Sequence, residues 1–415
     1  MSVIVQKFGG TSLATADRIH RAARRAIRAK LQDRQVVIVV SAMGDTTDRL
    51  LSLAHQMCSD PPKRELDMLL TTGEQVSIAL MAMAIDAAGH RAISLTAGQL
   101  GLYSDSFHTR ARIRRISRER IARELDEGKI VIVAGFQGID ESGEITTLGR
   151  GASDTTAAAL ACVLGAQACE IYTDVDGVYT ADPRLVPQAR KINRISYDAM
   201  LEMAAAGAQV MHSRAIELAK KFNVPIHVRS SLTDAEGTMI THETPDMEAF
   251  AVQGVTLKQD LAMLTLVGVP NHPGDAARIF AAIAREGILV DDIMQNISDG
   301  GNRVTIGLTI SASDLKDAQR VCDALTRDLG IERIEVQQNV AKVSATGVGM
   351  RSHCGVAAAM FDALAHARIN IERISTSEIV ISCIIRESDG PNALRAVHDA
   401  FHLDRGESQA PSDAA

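Results

Sequence analysis

Three stretches of the chain set glycine, hydroxyl and charged side chains side by side. Lys7-Phe8-Gly9-Gly10-Thr11-Ser12 follows an apolar run and precedes a helical pattern. Glycines let a backbone approach a bulky polyanion, and N–H groups entering a helix favour phosphate. Lys7 adds a positive charge. The stretch matches neither GxxxxGK[ST] nor GxGxxG, and a bare Gly-Gly could also be an ordinary turn. The second stretch runs from Thr146 to Thr156 and includes Arg150, Gly151, Ser153 and Asp154. Ser153 or Asp154 suits a helix N-cap, and Arg150 could grip a carboxylate at two points. An acid beside a phosphate is costly without a cation. Asp154 therefore points to Mg²⁺ or to the orientation of a cationic group, unless the stretch is only a capped helix. The third, Tyr172 to Arg184, ends a strand in an acidic turn without EF-hand spacing. It reads as a nucleotide-edge loop or a plain turn. Ser41–Thr47 and Thr71–Glu74 are capping segments or, with Arg150, a cradle for an amino acid. In the cradle reading, Glu74 faces the ammonium and Arg150 the carboxylate.

Positioning these residues requires a layered scaffold. The apolar runs 3–8, 36–41, 92–96, 130–136, 170–173 and 225–228 read as buried strands, with amphipathic helices such as 16–32 and 74–88 between them. That alternation predicts an α/β fold: a mostly parallel sheet in a three-layer α/β/α arrangement, with ligands at the carboxyl ends of its strands. Two basic helical stretches, Arg18 to Arg28 and Arg110 to Arg120, read as solvated faces or as anion or subunit contacts.

The last third repeats itself with a shift of 81 residues: Gly268 matches Gly349, His272 matches His353, Gly274 matches Gly355 and Phe280 matches Phe361. Each copy reads strand, Gly turn, helix, strand, which fits paired α+β modules better than a solenoid. A linker is expected over 233–248 and a disordered tail over 406–415.

The composition excludes several classes. With 46% hydrophobic and 23% charged residues, the 415-residue chain is globular and long enough for two or three domains. A net charge of −7, 3% aromatic residues and no Trp disfavour a nucleic-acid partner. No run of 18 apolar residues suggests a membrane span, and the start lacks a secretory pattern. Six cysteines without CxxC spacing suggest buried, reduced thiols and a cytoplasmic setting.

Taken in order, these motifs resemble aspartate kinase, of the amino-acid-kinase superfamily. KFGGTS (7–12), SAMGDTTD (41–48), TTGEQ (71–75), AGFQG (134–138), TLGRGASDTT (147–156) and YTDVDGVYTADPR (172–184) carry the match. The repeat looks like that family's tandem ferredoxin-like ACT domains, through VGVPNHPGDAARIF (267–280), DDIMQN (291–296), GMRSHCGVAAAMF (349–361) and INIERISTSEI (369–379). The resemblance implies a catalytic domain over 1–245 and ACT domains over 250–337 and 338–405. It implies transfer of the ATP γ-phosphoryl group to the side-chain carboxylate of L-aspartate, with Mg²⁺. Lysine or threonine would act as effector, and copies would pair through the ACT domains.

By carry-over, Lys7, Phe8, Gly9 and Gly10 would hold the ATP phosphates. Ser41, Thr173, Asp174, Tyr179, Arg184, Gln209 and Val210 would line the nucleotide site. Thr47, Glu74, Arg150, Gly151 and Ser153 would hold aspartate, while Asp154 would organise the transfer together with Lys7. No protein metal ligand is assigned. Asp275, Asp291 and Gln295 in the first ACT copy, and Val356, Asn370, Ile371, Ser377 and Glu378 in the second, would meet the effector. Four positions depart from the family pattern: Ala14 and Ala152 replace glycines, Gln209 a lysine and Leu289 an asparagine. If position 152 needs φ > 0, Ala152 would strain its loop by about 1 kcal/mol. The alternatives are another ACT-linked amino-acid kinase, such as one for glutamate, and a non-catalytic amino-acid sensor.

Overall fold

The computed structural model describes residues 2–149, 151–208, 210–242, 252–298, 301–347, 350 and 355–405. The expected tail, Arg150, Gln209 and part of the expected linker lie outside them. The chain divides into two compact units. One is Met1–Tyr179, Lys191–Ala205 and Gln209–Met247; the other is Thr180–Arg190, Ala206–Ala208 and Glu248–Ala415.

The first unit's strands are β1 (Ser2–Phe8), β2 (Arg34–Val40), β3 (Ala92–Leu95), β4 (Leu102–Ser104), β5 (Ile113–Ile116), β6 (Ile130–Ala134), β7 (Gln137–Ile139), β8 (Ile145–Thr147), β9 (Ala168–Thr173), β10 (Val178–Tyr179), β11 (Lys191–Ile192), β12 (Arg194–Ser196), β13 (Ile226–Ser230) and β14 (Thr238–Thr241). Its helices are α1 (Ala16–Lys30), α2 (Thr46–Met57), α3 (Lys63–Leu70), α4 (Thr72–Ala87), α5 (Ala97–Leu100), α6 (Glu119–Asp126), α7 (Ala152–Leu164), α8 (Tyr197–Ala205) and α9 (Ser213–Phe222). Eight strands form the main sheet, in the order β12-β14-β13-β9-β1-β2-β6-β3. Every pairing in it is parallel except β13 with β14. The six runs expected as strands are all present, because a strand buried on both faces reads as a continuous apolar segment. The short strands β12, at the edge, and β14 beside it, and a second sheet β5-β4-β7-β8, carry no such signal.

Helix α1 starts at Thr15, whose hydroxyl accepts the Arg18 N–H, and buries Ile19, Ala22, Ala23, Ala26 and Ile27. Those residues share a core with Ile78, Met81 and Ile85 of α4. The helical run Lys63–Ala87 is long and apolar enough to cross a bilayer by length and composition alone. Half of its most apolar window is buried inside the protein, as befits a core helix. The described cysteines form no disulfide; Cys169, Cys322 and Cys383 are buried and Cys58 is exposed.

The second unit contains β15 (Gly254–Pro270), α10 (Asp275–Arg285), β16 (Val290–Ser298), β17 (Arg303–Ser311), α11 (Leu315–Leu329), β18 (Arg333–Thr346), α12 (Val356–His366), β19 (Arg373–Thr376), β20 (Val380–Arg386) and α13 (Gly390–Ala400). The two repeats do not form separate sheets. They share one six-stranded sheet, β16-β17-β15-β18-β20-β19. Its centre is the antiparallel pair of long strands, β15 and β18, each of which crosses from one hydrophobic core to the other. Ala262, Leu264 and Leu266 enter the core beneath α10 and α11; Val255 joins Val343, Met360 and Leu394 in the second. Residues 180–190 fall inside the span 1–245 expected for one domain, yet they group with this unit. Ala181 and Val186 are buried in its second core, and the Thr180 hydroxyl lies 3.1 Å from His398 Nε2.

Candidate active site

Strands β1, β2, β6, β9 and β13 run parallel in register, Phe8 beside Val40 and Tyr172, and Tyr172 beside Arg229. Their carboxyl ends therefore share one edge of the sheet, and the loops leaving them converge. Successive residues of a strand face opposite sides. Phe8 sends its ring to the α1 side, where it is fully buried and stacked 4.7 Å from Tyr172. Lys7 faces the other side and meets Asp154 in the first turn of α7: Nζ to Oδ1 is 2.7 Å, with both side chains nearly buried. The second Asp154 oxygen accepts the His212 N–H at 3.1 Å.

Crowding explains the glycines here. A Cβ at Gly10 would stand 2.8 Å from the Ala42 carbonyl oxygen, and one at Gly135 would stand 2.7 Å from Ser153 Oγ. At Gly9 the nearest atom would be Lys7 Nζ at 3.5 Å. The loop after β1 therefore lies directly against the loop after β2, and Gly44 N–H donates to the Gly10 carbonyl. The residue with positive φ at the start of α7 is Gly151, at +72°. Ala152 is a buried helical residue with negative φ, so the strain conditionally expected at position 152 is absent.

Of the residues expected to form the amino-acid cradle, Ser153 adjoins Asp154 in the first turn of α7, and Arg150 lies outside the described residues. Ser41 donates to Ser153 Oγ at 3.0 Å. Glu74, 2% exposed near the start of α4, accepts the Ala42 N–H through Oε1 at 3.0 Å. Its other oxygen is buried without a hydrogen-bond partner. Burial pushes the Glu74 carboxyl up to about 7, against the smaller opposing effect of the Ala42 N–H. Thr47 is half-buried in the first turn of α2.

Among the residues expected to line the nucleotide site, Thr173 donates to Asp174 at 3.1 Å, and the Thr173 carbonyl accepts the Ser231 N–H. The Tyr179 hydroxyl donates to Asp176, and that bond is the main cause pushing the phenol up to about 12. Val210 lies in the turn that leads to His212. Arg184 belongs to the 180–190 segment of the second unit, where Nε and Nη2 grip the Asp182 carboxylate.

Sequence reasoning missed the residues that hold the loop before Arg150. Asp67, fully buried on α3, accepts from Thr147 Oγ1 at 2.6 Å and from Thr109 N at 3.1 Å, and lies 2.8 Å from His108 Nδ1. Arg214 donates to the Leu148 and Ala111 carbonyls. Asp67 sits in an amphipathic helix with no motif around it, and its partners come from distant segments.

In the second unit, Asp275 and Val356 are the first residues of α10 and α12, each following a left-handed Gly. They are equivalent positions in the repeat. Asp291 is bound by Lys258 Nζ at 3.0 Å and Lys342 Nζ at 2.7 Å. Gln295, Asn370, Ser377 and Glu378 are exposed, and Ile371 is half-buried.

The amino acid kinase family model matches residues 2–230, and an ACT domain model matches 264–324 and 343–401. The chain is 48% identical to an aspartokinase from Bacillus sp. (strain MGA3), over 97% of this chain and 98% of that protein. It is 48% identical to the aspartokinase of Mycolicibacterium smegmatis, over 97% of both. Among solved structures, it is similar to E. coli aspartokinase III in complex with aspartate and ADP, in its R-state. The TM-score is 0.85 at 26% identity, covering 96% of this chain and 100% of that one. The same enzyme with lysine and aspartate, in its T-state, gives a TM-score of 0.72 at 25% identity, covering 96% and 99%. Matches of this extent, together with the geometry of the loops around Lys7, establish that the chain belongs to the amino acid kinase family, and within it to the aspartokinases with two C-terminal ACT domains.

Proposed function

We propose that the chain transfers the γ-phosphoryl group of ATP to the side-chain carboxylate of L-aspartate, giving 4-phospho-L-aspartate and ADP. The observation that carries this reading is the Lys7–Asp154 pair, set where the Gly9-Gly10 turn meets the start of α7. A carboxylate oxygen of aspartate bonds to the γ-phosphorus, and the bond to the bridging β–γ oxygen breaks with ADP leaving. The nucleophile is already ionised at pH 7, so no proton has to move and no general base is needed. The barrier is repulsion between two anions brought together.

Lys7 offsets that repulsion, and Asp154 fixes where its ammonium stands. The loop N–H of Gly10 and the N-terminus of α7 add positive potential, while the Gly9 N–H is taken by the Tyr172 carbonyl. Glu74, with one buried oxygen unpartnered, is suited to accept the ammonium of aspartate. Ser153 and Ser41 stand beside it as hydroxyl donors. Mg²⁺ neutralises phosphate charge when bound. The ion would enter with the nucleotide phosphates, and Asp154 and Asp174 are the carboxylates proposed to face it.

The product leads toward lysine, threonine and methionine, and lysine or threonine is the proposed ACT effector. Copies of the chain pair through the ACT sheet. Support comes from Leu289, Ile293 and Ile297, which are 76%, 58% and 73% exposed beside and along the edge strand β16. The cytoplasm is the proposed setting. ADP release from purified protein with Mg²⁺-ATP, comparing L-aspartate with L-glutamate and adding lysine or threonine, tests the reading. Turnover with aspartate is the expected result. Equal turnover with glutamate, or none with either in folded protein, would remove it.

A further inference from the structure

The first basic stretch, Arg18 to Arg28, has no part in the transfer site. Two of its arginines, Arg25 and Arg28, form one wall of a cavity of about 720 Å³ against the main sheet of the first unit. Register places the cavity floor. Gln6, Glu170, His227, Met239 and Arg194 follow one another across β1, β9, β13, β14 and β12, and Tyr172 is beside Arg229 one row further on. All share the face to which Phe8 points, so the cavity lies on the opposite face from Lys7.

The floor is built rather than incidental. Gln6, 2% exposed, donates to Glu170 at 2.8 Å, and its own carbonyl oxygen is buried without a partner. Tyr172 donates to the same Glu170 oxygen, and Arg229 reaches the other at 3.3 Å. The Arg25 side chain, 10% exposed, is fixed by Asp234 at 3.0 Å and by the Thr233 carbonyl. The Nε atoms of both Arg25 and Arg229 are buried and unpartnered. Five arginines line the cavity against two carboxylates, Glu170 and Asp234. Burial lowers the His227 pKa, which keeps that ring neutral at pH 7. The cavity therefore carries about three positive charges within a chain whose net charge is −7.

We propose that this cavity binds an extended linear polyanion, a chain of many linked phosphate groups. The cationic groups are spread widely. Arg34 is six residues back along the strands from the row of Arg229, about 20 Å at the usual rise. Arg194 is four strands from Gln6, about 19 Å. Neither has an ion-pair partner among the described residues. One phosphate cannot span that spread, whereas guanidinium forks match several phosphate groups in turn. The Tyr172 ring is already occupied by Phe8, Arg25 and Arg229, so recognition comes from charge and not from base stacking.

The test is calorimetric titration of a medium-chain linear sodium polyphosphate, long enough to reach from Arg34 to Arg194, into the full chain at low salt, with ADP and aspartate saturating the transfer site. About one equivalent is expected to bind. The double variant Arg34→Glu/Arg194→Glu should weaken binding tenfold or more, and Lys7→Gln should leave it unchanged. Arg28→Glu, on a side chain 65% exposed, gives the same readout, with at least a threefold loss, should the double variant not fold. Absence of saturable binding, undiminished binding by the arginine variants, or loss on Lys7→Gln would each overturn the proposal. So would a change in particle mass with the arginine variants and none in affinity, which would make the face a contact between copies.

Discussion

Lys7 Nζ and Asp154 Oδ1 lie 2.7 Å apart, joining the end of β1 to the first turn of α7. The carboxylate does not oppose phosphate binding on its own, because it is already paired with the charge that attracts phosphate. Its second oxygen accepts the His212 N–H, so the lysine is held by a group that is itself held. Lys7→Gln should lower kcat by about 10²–10³, the range for losing one preorganised donor to developing charge. Asp154→Asn retains an acceptor for His212 but releases the ammonium, and about a tenfold to hundredfold loss is expected. Steady-state ADP release measures both, and unfolding curves would show that the fold is kept.

Glu74 has a pH signature. Burial raises its carboxyl to about 7, and only the ionised form pairs with an ammonium. The KM for aspartate should therefore rise about tenfold per pH unit as pH falls below 7. For stability the sign is opposite. The folded state holds this proton up to pH 7, whereas the unfolded chain releases it near 4.5, so stability falls as pH rises from about 4.5 to 7. Glu74→Gln should be more stable than the parent by about 2 kcal/mol at pH 8 while losing aspartate binding. Urea melts at pH 5 and pH 8 would show the gain at the higher pH only.

Gly9 and Gly10 should respond differently to alanine. At Gly10 a methyl group meets the Ala42 carbonyl oxygen at 2.8 Å, a backbone atom that cannot move cheaply. At Gly9 it meets the end of the Lys7 side chain at 3.5 Å and the Tyr172 carbonyl oxygen at 3.8 Å, both ordinary contacts. Gly10→Ala should cost about 1–3 kcal/mol by overpacking and raise the KM for ATP. Gly9→Ala should keep its stability within about 1 kcal/mol. Thermal unfolding and ATP titration of the two variants make the comparison.

Asp291 is held by two lysines, and Lys342 is only 6% exposed. Burial alone would raise the Asp291 carboxyl, but Lys342 and Lys258 outweigh it and hold the pKa below the usual range. Its contribution is therefore present above the unfolded pKa and lost as pH falls through the folded value. Asp291→Asn should destabilise the second unit by about 1 kcal/mol in the absence of any effector, because two cations lose a shared partner while Lys342 keeps Asp292 at 3.3 Å. A thermal shift of the unliganded variant is the measurement.

The sequence by itself determined the parallel sheet, since strands buried on both faces leave continuous apolar runs. It determined the repeat, because 81-residue spacing survives in Gly268, His272 and Gly274. It also placed Lys7, Glu74, Ser153 and Asp154 at loop and helix starts, where glycine and hydroxyl punctuation marks them. Tertiary structure alone decided the rest. Strands β15 and β18 each serve two cores, which no local pattern records. Residues 180–190 belong to the regulatory core because Ala181 and Val186 find apolar partners there. Asp67 and Arg214 brace Thr147 and Leu148, and Arg25 and Arg229 flank Tyr172. Each of these depends on chain segments brought together from far apart, and a one-dimensional pattern carries no information about which distant polar group will satisfy a buried one.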